Sequence, residues 1–167
     1  MKFKNQLRWG IFALSLVLII SPSTQGQMAG QMTTRNMAEM KFAALPGLPT
    51  QTVGSVQSGD PAKGPFILLA KAAAGSTVPW HWHTANERLM IVSGAADVEM
   101  KDGNSVRLEA GGFAALPAQH VHQFRCERDC TFYLDSDGAF DIHYVNGQGT
   151  EISAAEALKA VNETPAG

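Results

Sequence analysis

The chain has 167 residues, 45% of them hydrophobic, with 13 Lys and Arg against 15 Asp and Glu. That length suits one domain with a core of its own. The near balance of charge, without any basic run, excludes nucleic acid as an expected partner.

Residues 1–26 read as a signal peptide. Lys2, Lys4 and Arg8 make a basic start, IFALSLVLII (residues 11–20) is a short apolar run, and Thr24 and Gly26 are small residues ahead of Gln27. The run is too short for a comfortable membrane span. The expectation is an exported protein, periplasmic or secreted, with no stable membrane insertion after cleavage. An uncleaved anchor from Trp9 to Ile20 is the alternative. Residues 27–41, with Met28, Met32, Met37 and Met40, read as a flexible linker. Methionines fill gaps more often than they bind copper, the other use of such a cluster.

From Phe42 to Asn146 the pattern is one of short strands broken by Gly, Pro and Asp. LPGLPT is a turn and PFILLAKA an apolar strand, and ERLMIVSG and ADVEM are strands on either side of Gly94. KDGN (residues 101–104) is a hairpin turn before SVRLEA. GGFAALPAQ turns again, and HVHQFRC, CTFYLDS and FDIHYV follow as strands. In the tail, residues 147–167, ISAAEALKAV predicts a short C-terminal helix, with Ser153 as its cap and Glu156 three residues on. The fold class is therefore all-β, a sandwich or barrel over residues 42–146. Cys126 and Cys130 flank three polar residues. In an oxidising compartment they read as a disulfide bridging a hairpin, with free thiols as the alternative.

The chemistry concentrates in GSTVPWHWHTANERLMIVSG, residues 75–94. On a strand, His81 and His83 share one face while Trp80 and Trp82 share the other. Glu87 opens the next strand and is expected to reach the same space across a hairpin. Two imidazoles and a carboxylate converging in this way suit a divalent metal.

The spacing Gly75-x5-His81-x-His83-x3-Glu87-x6-Gly94 resembles the first motif of the cupins at every defining position. Gly111, Pro117 and His122 resemble the second motif, with Gln119 where that motif has glycine and Cys126 where it has asparagine. The resemblance implies a single cupin-type double-stranded β-helix, a jelly-roll barrel. It also implies one divalent metal ion held by His81, His83, Glu87 and His122. Iron, manganese and zinc are the first expectations, and nickel and copper also occur in cupins. His120 shares a face with His122 and is the alternative fourth ligand or a catalytic group. Tyr133, and behind it Asp135 and Gln123, are further catalytic candidates, whereas His143 reads as structural. Because cupins dimerise through sheet faces, the outward tryptophans suggest a homodimer. The implied function is a metal-dependent enzyme acting on a small molecule, dioxygenase first and isomerase, lyase or hydrolase second. The alternative is a metal-dependent binding or sensing module without turnover. A polar, convergent pocket favours the enzyme, and an aliphatic pocket without a proton donor favours the module.

Overall fold

In FILLAKA, Phe66, Leu68, Ala70 and Ala72 point one way and are buried, the period-two pattern of a strand with one face on a core. The same alternation organises a computed structural model that describes residues 32–163. The expected leader lies outside the described residues. The compact unit begins at Arg35, and within it Met37–Glu39 forms one exposed 3-10 turn, closed by the Asn36 amide donating to Glu39 Oε2 at 2.7 Å.

The strands are β1 (Ala43–Ala44), β2 (Thr52–Gly59), β3 (Phe66–Ala72), β4 (Thr77–Trp82), β5 (Glu87–Met100), β6 (Ser105–Glu109), β7 (Phe113–Leu116), β8 (His122–Ser136) and β9 (His143–Tyr144). The helix α1 (Ala154–Glu163) follows. All pairings are antiparallel, in one curled nine-stranded sheet. One edge of β8 pairs with β4 and then β3, and the other runs the full length of β5. β6 and β7 line the far edge of β5. This is the jelly-roll arrangement expected of the all-β class.

Two long strands replace four expected short ones. β5 passes through Gly94 without turning, and β8 passes through CERDC. The expected Cys hairpin is therefore incorrect. A bulge interrupts the pairing of β8 with β5 between Cys126 and Cys130, where Arg128 alone keeps a partner, Ala95, and the two cysteines pair across it as a disulfide, with Cα atoms 5.9 Å apart. β5 shifts register at the same level, between Ile91 and Ala96. Gly94 makes this possible: its φ is +85, and a Cβ there would lie 2.1 Å from the carbonyl oxygen of Asp129.

β2 and β7 are not among the expected strands. β2, TVGSVQSG, has a composition poor in apolar residues, yet pairing with β3 makes it a strand and buries Thr52, Gly54 and Ser55. The core comes mainly from β3, β5 and β8, including Leu68, Leu89, Ile91, Phe124, Phe132 and Leu134. The helix is where the sequence placed it, with Ser153 Oγ accepting the Glu156 amide at 3.2 Å. It packs against β4 and β9. Among the described residues no helix is long and apolar enough to cross a membrane.

The outward Trp82 finds cover within the chain. It stacks flat on His143, ring centroids 3.9 Å apart and planes 8° from parallel. His143 is held in turn by Glu151 at 2.9 Å, which fits the structural role expected of it.

Candidate metal centre

The site starts with a break in β4. Its pairing with β8 shifts between Val78 and His81, around Pro79, which has no N–H to give the ladder. The shift leaves the Pro79 carbonyl 2.6 Å from His81 Nδ1 and sets His81 opposite His122. His83 follows the strand end, in a loop of residues 83–86 that is tied at several points. Thr84 N donates to the Asp141 carboxylate at 2.9 Å, and Asn86 donates to Asp137 from its backbone at 2.9 Å and its side chain at 2.7 Å. Asn86 Oδ1 accepts from Ala118 N at 3.0 Å, and the His83 carbonyl accepts from Gln119 N at 2.8 Å.

Gln119 holds this turn with φ +61, the left-handed conformation for which the second motif uses glycine. The turn is thus kept although the residue differs.

β4 and β5 are not paired with each other, so Glu87 does not face the histidines across a hairpin. It stands at the start of β5, between Leu116 of β7 and Ser136 of β8, and brings Oε2 within 2.8 Å of His83 Nε2.

His81, His83 and His122 converge, one ring nitrogen of each within 4.8 Å of the others. Their ring centroids are 4.2 to 5.7 Å apart. In all three rings Nδ1 meets a backbone carbonyl: Pro79 for His81, Asp141 for His83 and His120 for His122. A carbonyl only accepts, so Nδ1 carries the proton, and in a neutral ring Nε2 is left with the lone pair. Three imidazoles with Nδ1 anchored and Nε2 directed inward form a ligand set prepared for a metal.

Electrostatics agree with that reading. Burial holds His81 well below the ordinary imidazole range, and the neighbouring His122 and His83 rings push it the same way. Burial also lowers His122, against the opposing pull of Glu87. Burial acts downward on His83 too, but the hydrogen bond and charge of Glu87, with help from Asp141, outweigh it and raise this ring. Without a metal, two rings are therefore neutral and the third shares a proton with Glu87. A divalent ion would take the place of that proton, held by His81, His83, His122 and Glu87, an N3O donor set that fits it.

The other candidates lie elsewhere. His122, not His120, joins the cluster; His120 contributes its carbonyl, and its ring is not part of the chamber wall. On β8 the even-numbered residues face the interior, so Tyr133, Asp135 and Gln123 point away from it. Asp135 pairs with Arg88 at 3.1 Å and Gln123 with Glu99 at 2.6 Å. None of these three candidates lines the chamber. The residue that sequence reasoning missed is Asp141, whose carbonyl anchors His83 and whose carboxylate anchors the loop behind it. A carbonyl contact leaves no residue-type signal, so the sequence offered no means of finding it.

The chamber beside the cluster is lined mainly by aliphatic and aromatic side chains, among them Val78, Leu89, Phe124 and Phe140. Thr52 and Ser76 are its other polar members, and their hydroxyls bond to each other at 3.2 Å.

A family model described as a cupin domain matches residues 68–134, the span that carries His81, His83, Glu87 and His122. The fold is also that of an RmlC-like cupin from Ralstonia eutropha JMP134, with TM-score 0.59 and 17% identity over 78% of this chain and 85% of the other. Residues 68–134 form a cupin domain. The cupin is further similar to a structure titled as a putative acetylacetone dioxygenase from Methylibium petroleiphilum PM1, with TM-score 0.57 and 15% identity over 77% of this chain and 94% of that one. The polyketide cyclase RemF from Streptomyces resistomycificus gives TM-score 0.59 and 14% identity over 70% and 87%. At these identities the likeness is one of fold. No curated protein matches the cupin by sequence.

Proposed function

We propose that this cupin binds one divalent metal through His81, His83, His122 and Glu87 and acts on a small molecule by dioxygenase-type chemistry. The observation that carries the reading is the anchoring of all three Nδ1 atoms by carbonyls, which leaves three Nε2 atoms as the donors beside one carboxylate. Iron, manganese or zinc suits such a mixed set. When bound, the ion supplies open coordination positions for a substrate and, if iron, for oxygen. The chain's own residues do the rest. The histidines would fix the ion's position, Glu87 would offset part of its charge, and His83 Nε2 would give up the proton that it holds against Glu87. The apolar walls exclude water.

Lewis-acid routes such as isomerisation or hydrolysis need an acid–base group besides the ligands. Thr52 and Ser76 are the other polar chamber groups, and they satisfy each other. Among enzymatic routes, that ranks oxidative chemistry first. The same absence of a proton donor favours a second reading, a metal-dependent binding module without turnover. The deciding experiment loads the protein with Fe(II) anaerobically, adds a small diketone or catechol, and follows oxygen uptake. Uptake that disappears in His122→Ala supports the enzyme. Ligand-induced change in the metal's spectrum without oxygen uptake supports the module.

Export through residues 1–26 and dimer formation belong to the same proposal. Intact mass of protein from an exported preparation tests the first, with loss of residues 1–26 expected, and light scattering tests the second.

A further inference from the structure

The histidine chamber encloses only about 40 Å³, room for one or two waters and not for an organic substrate. A second cavity adjoins it, with a volume of about 410 Å³, within the range of small-molecule sites. Leu45, Leu48, Leu68, Leu134 and Phe140 belong to both walls. The second cavity has a buried floor of Phe66, Leu68 and Leu134 and an exposed rim that includes Pro46, Val56 and Ala62. It is therefore a vestibule that opens outward and ends against the chamber.

No side chain lining the vestibule carries a polar or charged atom. Asp60 and Lys63, beside the rim, neutralise each other at 2.7 Å. The partition is Phe140. Its ring centroid lies 5.8 Å from that of His83 on the chamber side and 6.3 Å from that of Phe66 on the vestibule side. Its backbone N donates to the Pro61 carbonyl at 2.8 Å, so the segment is fixed to the vestibule wall and the ring alone stands between the two spaces.

We propose that the vestibule seats the apolar body of an uncharged ligand, whose reacting end passes Phe140 to reach the histidine chamber. The reading rests on the metal centre above and gives its substrate class: neutral molecules with an aliphatic or aromatic body and one small polar end. Charged molecules are excluded because an unpaired charge among these walls would lose its hydration without compensation.

The test uses the full chain, metal-free, with straight-chain methyl ketones from butanone to octanone as probes, read by the methyl signals of Leu45, Leu68 and Leu134. Burial of one methylene corresponds to about a fourfold gain in affinity. The expected result is that gain for each added carbon, with shifts centred on those three leucines. Ala62→Trp alters the exposed rim, fills the vestibule and should remove binding by at least tenfold, with zinc uptake unchanged. Hexanoate, charged and of similar length, should bind at least tenfold more weakly than its ketone counterpart. In protein loaded with Mn(II), the methyl next to the carbonyl should relax faster than the chain end. Flat dependence on chain length, indifference to Ala62→Trp, preference for hexanoate or equal relaxation of the two ends would overturn the proposal. Zinc uptake on the same samples keeps the readings apart: a parent protein that takes up zinc but binds none of the ketones rejects the vestibule and leaves the metal centre standing.

Discussion

Replacing Gly94 by alanine tests the geometry that lets β5 and β8 run past each other at full length. The residue sits at φ +85, a conformation that costs an L-residue about 1–2 kcal/mol. The added Cβ would also lie 2.1 Å from the Asp129 carbonyl oxygen and 2.9 Å from the Cα of Cys130. Neither neighbour yields easily, because Cys130 is bridged to Cys126 and the Asp129 carboxylate accepts from Ala74 N at 2.8 Å. Forcing that backbone aside adds about 1–3 kcal/mol, for a total loss of roughly 2–5 kcal/mol by these two contributions. Gly75 is the control: its φ is +79, but nothing lies within 4 Å of its Cβ position. Gly75→Ala should therefore lose only the conformational share, about 1–2 kcal/mol. Urea unfolding of the two variants against the parent measures the difference. Equal losses would refute the close approach of Gly94 to the β8 bulge.

Further outcomes follow from single contacts. Gln119→Gly should raise stability by about 0.5–1 kcal/mol, since relief of the left-handed backbone exceeds the freedom gained by the unfolded chain; a lower melting temperature would contradict this. Replacing Cys126 and Cys130 together by serine should cost at least about 2 kcal/mol, the loop-closure share of so short a bridge, and intact mass should show two hydrogens added on reduction of the parent. Asp141→Ala removes the acceptor for Thr84 N and should weaken zinc binding about tenfold or more, measured by competition with a chelator; unchanged affinity would show that the backbone alone holds the loop. Zinc affinity should fall as pH drops, beginning above the ordinary imidazole value near 6.5, because the raised His83 must first lose its proton. Metal-free stability follows two opposite signs. The share from His83 is complete below about pH 6.5 and lost as pH rises through its raised value, whereas His81 and His122 contribute above about pH 6.5 and lose that contribution as pH falls. Calorimetric titration across that window checks the binding claim, and a flat profile would contradict it.

How much the sequence revealed depended on whether the signal was local. His81, His83, Glu87 and His122 were legible because strand periodicity and motif spacing reported them directly, and three of the four converge as a cluster while Glu87 contacts His83. The helix was legible through Ser153 for the same reason. What failed was pairing over distance. Gly94 and CERDC look like turn signals, yet they are matched irregularities in two strands that stay paired throughout. TVGSVQSG is a strand because of its neighbour β3, not because of its own composition. Tyr133 looked chemical by type, but the phase of β8, fixed by buried Phe132 and Leu134, turns it outward. Trp82 suggested a partner subunit before the stacked His143 was known.

The most direct test of the account is metal stoichiometry by equilibrium dialysis with zinc, comparing the parent with His122→Ala and His120→Ala. One ion per chain, lost in His122→Ala and kept in His120→Ala, is the expected result. No uptake by the folded parent, or equal loss in both variants, would contradict the assignment of the centre to His81, His83, His122 and Glu87.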